Sequence, residues 1–198
     1  MRPSLAIAYA LALAALVGGL GFFGARIALA PASLIEEGSV WRDAAWPFLR
    51  DGWPAGRAFR CDAADCGEEV MVYARVKKGM CDCVAGVADD EDLERVSDAP
   101  LLSQKFTPLA EGQVQTLSGM NARLRRYRLD SGAALAVIAG GRNCNAFVAM
   151  ASARHELRPG SMEAVKALLE APPMSRWIER QAQEPAPPDF FAKDRGEK

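Results

Sequence analysis

Five cysteines carry the most distinctive chemistry of this sequence: Cys61, Cys66, Cys81, Cys83 and Cys144. In an oxidising compartment such thiols form disulfides, whereas thiolates hold zinc or an iron–sulfur cluster, or exchange disulfides with a partner. The spacings Cys-x4-Cys and Cys-x-Cys match neither the Cys-x2-Cys pairs of zinc sites nor the same motif in thioredoxin-like proteins. They favour structural disulfides, with a thiol-redox or metal-handling site as the alternative.

The positions of the cysteines favour one pairing, although other pairings stay open. Cys61 and Cys66 flank the turn-like segment "DAAD", so their Cα atoms can approach the roughly 5.5 Å that a disulfide requires. A bond between Cys81 and Cys83 would close a very small ring, so one of them is expected to pair with Cys144. We predict Cys61–Cys66 and Cys83–Cys144 bonds and a free thiol at Cys81. Closing the longer loop would stabilise the fold by about 3–4 kcal/mol.

No motif in the sequence predicts a catalytic residue, a cofactor or a metal ligand. The single histidine, His155, lies in "ARHELRPG" and is interpreted as a surface residue. A Ser-His-Asp hydrolase would have to use this histidine, and the Gly-x-Ser-x-Gly nucleophile motif is absent. The segment "AGGRNCNA" lacks the Gly-Lys-Ser/Thr ending of a phosphate-binding loop and is typical of a hairpin turn.

Two charged segments have both a structural and a functional interpretation. The acids at residues 89–92 lack the alternating ligands and central glycine of a calcium loop, so they predict the solvated start of a helix. The basic run "RLRRYRL" predicts a solvent-facing strand, with contact to an anionic lipid or an acidic partner as the alternative. The formal net charge of −1 provides no basic field for a nucleic-acid partner.

The N-terminal residues predict a membrane segment. Residues 5–25, "LAIAYALALAALVGGLGFFGA", are uncharged and match the roughly 20 residues that a helix needs to cross a bilayer. We predict a signal-anchor transmembrane helix within residues 1–30, with the lipid bilayer as its partner; cleavage within "ALAPAS" is the alternative. If Arg2 stays inside, the remaining chain is exported, which predicts a single-pass inner-membrane protein with a periplasmic C-terminal domain.

The rest of the chain divides into three predicted segments. Residues 31–58 are rich in Trp and Pro and predict a juxtamembrane segment, whose tryptophans lie among lipid headgroups or pack on the edge of the domain. Residues 59–183 contain strand and helix patterns and predict the folded domain. Residues 184–198, "EPAPPDFFAKDRGEK", are proline-rich and charged, and they predict a disordered tail.

Hydrophobic patterns within residues 59–183 predict an α+β fold. Residues 68–78 alternate, with Val70, Val72, Ala74 and Val76 on one face, as in a strand. Four later strand-like runs are separated by "SGMNA", "DSG" and "GGRNC", which favours an antiparallel meander. Residues 89–98, 161–171 and 174–183 predict helices. We therefore expect an antiparallel sheet meander with helices on one face, preceded by one N-terminal transmembrane helix.

Several short motifs within residues 41–180 belong together: Phe59-Arg60-Cys61, Cys66-Gly67, Cys81-x-Cys83 and the segment from Gly86 to Val96. They resemble a family of uncharacterised, membrane-anchored proteins of alphaproteobacteria. That family has no assigned activity, so the resemblance implies a single cysteine-stapled domain behind one anchor and transfers no catalytic residue.

Together these features predict an accessory domain that binds or supports another component of the cell envelope without catalysis, and an envelope protein is a candidate partner. The alternative function is that of a cysteine-based thiol-redox or metal-handling envelope protein. A hydrolase is disfavoured because the set of nucleophile and base is missing.

Overall fold

The structure, a computed structural model, describes residues 33–49 and 51–183. The predicted signal-anchor helix in residues 1–30 and the predicted tail at residues 184–198 lie outside the described residues. Within the described part of the chain, no helix is both long enough and apolar enough to span a bilayer.

Eight strands of the described part of the chain form one antiparallel sheet. They are β1 (Trp41–Ala44), β2 (Arg57–Cys61), β3 (Val70–Lys77), β4 (Phe106–Pro108), β5 (Gln113–Leu117), β6 (Met120–Leu129), β7 (Ala134–Arg142) and β8 (Asn145–Ala153). The strand order is β1-β2-β3-β8-β7-β6, and both β4 and β5 pair with the outer edge of β6. The sheet therefore consists of two meanders, β1 to β3 and β5 to β8, which are joined where β3 pairs with β8.

In residues 33–49 and 51–183, five helices accompany the sheet, so the predicted α+β class is confirmed. They are α1 (Ala63–Cys66), α2 (Asp90–Val96), α3 (Ala99–Leu102), α4 (Pro159–Glu170) and α5 (Pro172–Gln183). Asp89 caps α2 by accepting a hydrogen bond from the Asp92 amide at 2.8 Å. Pro159 begins α4, where the missing N–H costs nothing. Pro172 likewise begins α5.

Helices cover both faces of the sheet, so the prediction that they lie on one face is wrong. On β3, Val70 and Val72 pack against α4 and α5, whereas Tyr73 packs on the opposite face with residues of α2 and α3. β7 and β8 are buried on both faces and are apolar at consecutive positions, as "ALAVIA" and "AFVAMA". Successive side chains of a strand point to opposite faces, so a strand that is covered on both faces needs apolar residues at even and at odd positions.

The sheet begins before residue 59, inside the segment that was predicted to be juxtamembrane. Trp41 of β1 is buried, and its indole N–H donates to the Ala164 carbonyl of α4 at 3.1 Å. The rings of Trp46 and Phe48 pack edge to face against Tyr73, with centroids 6.2 and 5.0 Å away. These aromatic residues therefore pack on the folded domain, where they cover the outer part of the sheet.

Candidate functional site

The structure bonds Cys61 to Cys66 and Cys83 to Cys144 and leaves Cys81 as a free, buried thiol, which is the pairing that the sequence favoured. The two disulfides lie at opposite ends of the sheet. Cys61 ends β2 beside the start of β3, which pairs with the end of β8, whereas Cys144 lies in the turn before β8 begins. The two bonds are separated by about the length of β8, so each serves a different part of the molecule.

The Cys61–Cys66 bond belongs to the core. Its cysteines are 0% and 7% exposed and pack in the same apolar cluster as α4. The short helix α1 reverses the chain between them and ends at Gly67, whose φ of 78° suits glycine. The Ser161 hydroxyl of α4 donates to the Cys66 carbonyl at 2.9 Å. Helix α4 and the Cys61–Cys66 disulfide shield each other from solvent, so this disulfide has a structural role.

The Cys83–Cys144 bond holds a surface loop, residues 81–86, which we call the stapled loop. Cys83 is exposed and Cys144 is partly buried. One carboxylate oxygen of Asp82 accepts hydrogen bonds from the amides of Val84 and Ala85, both at 2.7 Å. These two amides hold the pKa of Asp82 below its usual range. Val84, at the tip of this turn, is 97% exposed.

Backbone contacts fix the stapled loop to β7. Gly86 and Gly141 approach so closely that a Cβ on Gly141 would lie 2.6 Å from the Cα of Gly86 and 2.9 Å from the sulfur of Cys81. The Cys81 amide also donates to the Cys144 carbonyl at 3.4 Å. Burial raises the pKa of the Cys81 thiol, so in this position it is a weak nucleophile. Cys81 helps to pack the loop while the disulfide is closed.

Cys144, at the other end of the Cys83–Cys144 disulfide, lies in a turn whose backbone is left-handed. Asn143 and Cys144 have φ values of 52° and 62° and form the two-residue connection between β7 and β8. Such turns favour glycine at the second position, and a residue with a Cβ costs about 1–3 kcal/mol there. A cysteine occupies this unfavourable position, and its side chain makes the bond to Cys83.

Two of the four arginines of the basic strand β6 contact the acidic helix α2. Asp90 pairs with Arg123 and with Arg125, the latter at 3.3 Å, and Arg125 also bonds Glu94 at 2.7 Å. The amide of Gly112 and these arginines lower the pKa of Asp90. The prediction of a solvent-facing strand is wrong for Arg123 and Arg125, because α2 covers that face; Arg126 and Arg128 are exposed. Asp90 and Glu94 of α2 therefore serve as ion-pair partners of β6.

His155 is exposed, as the sequence predicted, at the rim of an open cleft of about 650 Å³. Met71, Leu102 and Leu129 line the cleft, which lies at the same end of the sheet as the buried disulfide. Glu68 closes one side by accepting the amide of His155 at 3.2 Å. Over residues 33–49 and 51–183, no three potential metal ligands come together, at this cleft or elsewhere.

A buried cluster of charges lies behind β3, and sequence reasoning missed it. Arg75 and Asp98 are 3% and 4% exposed, and they bond through the Arg75 Nε at 2.5 Å. Lys77 reaches the same carboxylate at 2.7 Å, and Asp51 pairs with the outer side of the Arg75 guanidinium at 2.6 Å. Burial lowers the pKa of Lys77, and the hydrogen bonds from Arg75 lower that of Asp51. The cluster balances two cations with two anions and ties the loop at residue 51 and the α2–α3 junction to the sheet.

Comparison with known proteins assigns no activity to these sites. No protein-family model matches the chain. No curated protein matches it either. The fold and the two staples define the protein as a disulfide-stapled, antiparallel α+β domain, and its function has to be inferred from the geometry of the stapled loop, the cleft and the charge cluster.

Proposed function

We propose that this chain is a single-pass, inner-membrane-anchored protein whose periplasmic domain binds another envelope component through the stapled loop, without catalysis. The observation that carries the proposal is Val84, which is 97% exposed at the tip of a loop fixed by a disulfide, an Asp82-capped turn and a glycine–glycine contact. The anchor would be the apolar segment at residues 5–25.

Two disulfides support the exported location of the domain. Disulfide bonds form and persist in oxidising compartments such as the periplasm, whereas cytosolic thiols are kept reduced. In addition, the uncharged residues 5–25 have the length and composition of a membrane helix. A C-terminal alkaline phosphatase fusion tests the orientation, because that enzyme is active only after export. An inactive fusion with five alkylatable cysteines in the chain would refute the periplasmic location.

The rigidity of the stapled loop supports a binding role. A single exposed valine is ordinary on a protein surface. Here, however, the backbone around Val84 is fixed at both ends, although the side chain buries almost nothing and contributes little to folding. A loop that is ordered before binding loses less conformational entropy when a partner covers it. The expected partner surface is an apolar pocket that receives the side chain of Val84.

The polar groups of the described residues support a non-catalytic role. Cys81 is buried with a raised pKa, and His155 lies at the far end of the sheet from the stapled loop. Ser152 lines the same cleft as His155, where the Glu68 carboxylate is engaged by the backbone amides of His155 and Glu156. The strongest charge cluster, around Asp98, is enclosed within the fold. An accessory role in binding fits these features better than hydrolysis does.

Site-specific photo-crosslinking in intact cells tests the binding role. A photoreactive residue is placed at Val84 and, as a matched control, at Val114, which is 74% exposed on β5. We expect an adduct of one defined mass from position 84 and none of that mass from position 114. Adding Gly141→Ala, which displaces the loop while leaving the photoreactive group exposed, should remove the adduct. Equal adducts from both positions, or none from position 84, would refute the proposal.

A further inference from the structure

We propose that the Cys83–Cys144 disulfide is a thiol–disulfide exchange site for a protein partner carrying two thiols, and that opening it releases the stapled loop. The exchange chemistry follows from the geometry at this end of the sheet. Only its regulatory consequence, control of partner binding, rests on the proposed function.

Access distinguishes this disulfide from the other one. Exchange requires a thiolate to reach one sulfur of the bond, so a buried disulfide resists it. Cys83 is exposed, and its neighbours Asp82, Val84 and Ala85 are exposed as well. Cys61 and Cys66 lie beneath α4 in the core. A reducing partner can therefore approach the staple without unfolding the domain, which it cannot do at the Cys61–Cys66 bond.

A polar recess lies directly beside the Cys83–Cys144 disulfide, which we call the staple. It has a volume of about 220 Å³ and is lined by Asp82 to Gly86, by the β5–β6 turn and by Arg142 and Asn143. The Arg142 side chain, paired with Glu179 at 3.1 Å, and the Asp82 carboxylate both line the recess, so it holds charges of both signs. The recess thus provides solvent-accessible space beside the disulfide for an attacking thiolate.

The reaction balances with the dithiol as the only reductant. A thiolate of the partner attacks the Cys83 sulfur, the Cys83–Cys144 bond breaks, and Cys144 leaves as a thiolate that takes up a proton. The second thiol of the partner then attacks the mixed disulfide and releases Cys83. Two electrons and two protons pass from the partner to the protein, and the partner leaves as a disulfide.

Opening the bond removes the only covalent link between the stapled loop and the turn at Cys144. The Asp82 turn stays within the loop, and the contacts from the loop to β7 and the turn include the Gly86–Gly141 approach and the 3.4 Å hydrogen bond from the Cys81 amide. Cys81, which is buried while the loop is closed, then becomes accessible. The closed domain accordingly offers no reactive thiol from Cys61 to Cys144, and the opened domain offers three.

Graded reduction of the purified, oxidised protein with dithiothreitol tests the exchange site. After alkylation and peptide mapping, we expect Cys83 and Cys144 to be labelled at dithiothreitol concentrations at least tenfold below those that label Cys61 and Cys66. Cys81 should be labelled in step with Cys83. Simultaneous opening of both disulfides, or labelling of Cys81 before Cys83, would overturn the proposal.

A trapping experiment in cells tests for the dithiol partner. Cys144→Ala leaves Cys83 as an exposed thiol, whose thiolate can attack the disulfide form of the partner; a mixed disulfide forms and one partner cysteine leaves as a thiolate. The matched control, Cys66→Ala, leaves the buried Cys61 instead. We expect a reducible adduct only with Cys144→Ala, lost when Cys83→Ala is added, and containing a partner with two cysteines at its site. No adduct from Cys144→Ala, or an adduct that persists when Cys83→Ala is added, would contradict a dithiol partner.

The crosslinking experiment separates this inference from the proposed function. If dithiothreitol opens the staple selectively but position 84 gives no adduct in either redox state, the exchange site stands and the binding role falls. An adduct that forms in the closed state and disappears after opening supports both. An adduct that persists after opening refutes the regulatory consequence.

Discussion

The two ends of the sheet each carry a disulfide, and the bonds do different work. At one end, Cys61–Cys66 joins residues five positions apart and lies under a helix. At the other, Cys83–Cys144 joins residues 61 positions apart and fixes an exposed loop. The buried bond completes a packed core, whereas the exposed bond orders a segment that packs little. A disulfide that orders a solvent-exposed loop points to the use of that loop.

The chain-entropy model predicts which bond stabilises the domain more. The loss of unfolded-state entropy grows with the logarithm of the closed loop, so the bond across 61 positions should contribute about 4 kcal/mol and the bond across five about 2 kcal/mol. The exposed bond is therefore the stronger thermodynamic constraint and also the one that a reductant can reach. The end of the sheet that carries the stapled loop is therefore the part of the domain whose stability is most sensitive to reduction.

The largest expected effect is the loss of the long-range bond. Cys83→Ala combined with Cys144→Ala should lower the free energy of unfolding by about 4 kcal/mol, because the unfolded chain regains the entropy of a long loop. Urea unfolding followed by circular dichroism measures the change. The far-ultraviolet spectrum before unfolding should match that of the parent, since the sheet does not depend on residues 81–86. If this variant loses less stability than the Cys61→Ala, Cys66→Ala variant, the long-range bond is not the stronger constraint.

The second effect is the loss of the buried bond. Cys61→Ala with Cys66→Ala should cost about 2 kcal/mol through loop entropy, with a smaller addition from the cavity left beneath α4. The same urea series measures it. Protection of residues 81–86 from limited proteolysis should be unchanged in this variant, because the other end of the sheet is intact. Cleavage within the stapled loop would show that the two ends are coupled.

Much of the sheet could be predicted from local patterns. The period-two alternation in β3 and the turn residues between β5, β6, β7 and β8 report directly on strand geometry, and all of these strands are present. The pairing of the cysteines could be favoured because a bond from Cys81 to Cys83 is sterically unattractive and Cys61 and Cys66 flank a turn. Such inferences depend on neighbours in sequence, where geometry restricts the alternatives.

The sequence carried a signal for the positions of the helices, whereas it carried none for the charge cluster. The signal for helices on both faces was available in "ALAVIA" and "AFVAMA", which are apolar at both parities and exclude a solvated face. The charge cluster had no local signal. Arg75 and Asp98 are 23 positions apart, and period two alone would place Arg75 on a solvated surface. Only the fold of α2 and α3 over β3 brings them together.

A third, smaller effect tests the contact that seats the stapled loop. Gly141→Ala places a Cβ 2.6 Å from the Gly86 backbone, so the loop has to move away from β7. We expect a loss of about 1–2 kcal/mol, in the range for overpacking, and faster proteolysis within residues 81–86. Gly160→Ala is the matched control, because nothing lies within 4 Å of its added Cβ. If both variants are equally stable and equally resistant, the glycine contact does not position the loop.

The smallest expected effect is the titration of the stapled loop through Asp82. The amides of Ala85 and Val84 lower the pKa of this carboxyl below its ordinary 3.8, so the folded state favours the ionised form. The stabilisation is therefore complete above the unfolded pKa and is lost as the pH falls through the lower folded pKa. Nuclear magnetic resonance should show the Asp82 carboxyl and the amides of Val84 and Ala85 titrating together, with a midpoint below 3.8. After selective reduction of Cys83–Cys144, the turn loses its covalent support, so the midpoint should rise toward 3.8. A midpoint that is the same in both redox states would mean that the Asp82 turn holds its shape without the staple, and the exposed disulfide would then lose its role in ordering the loop.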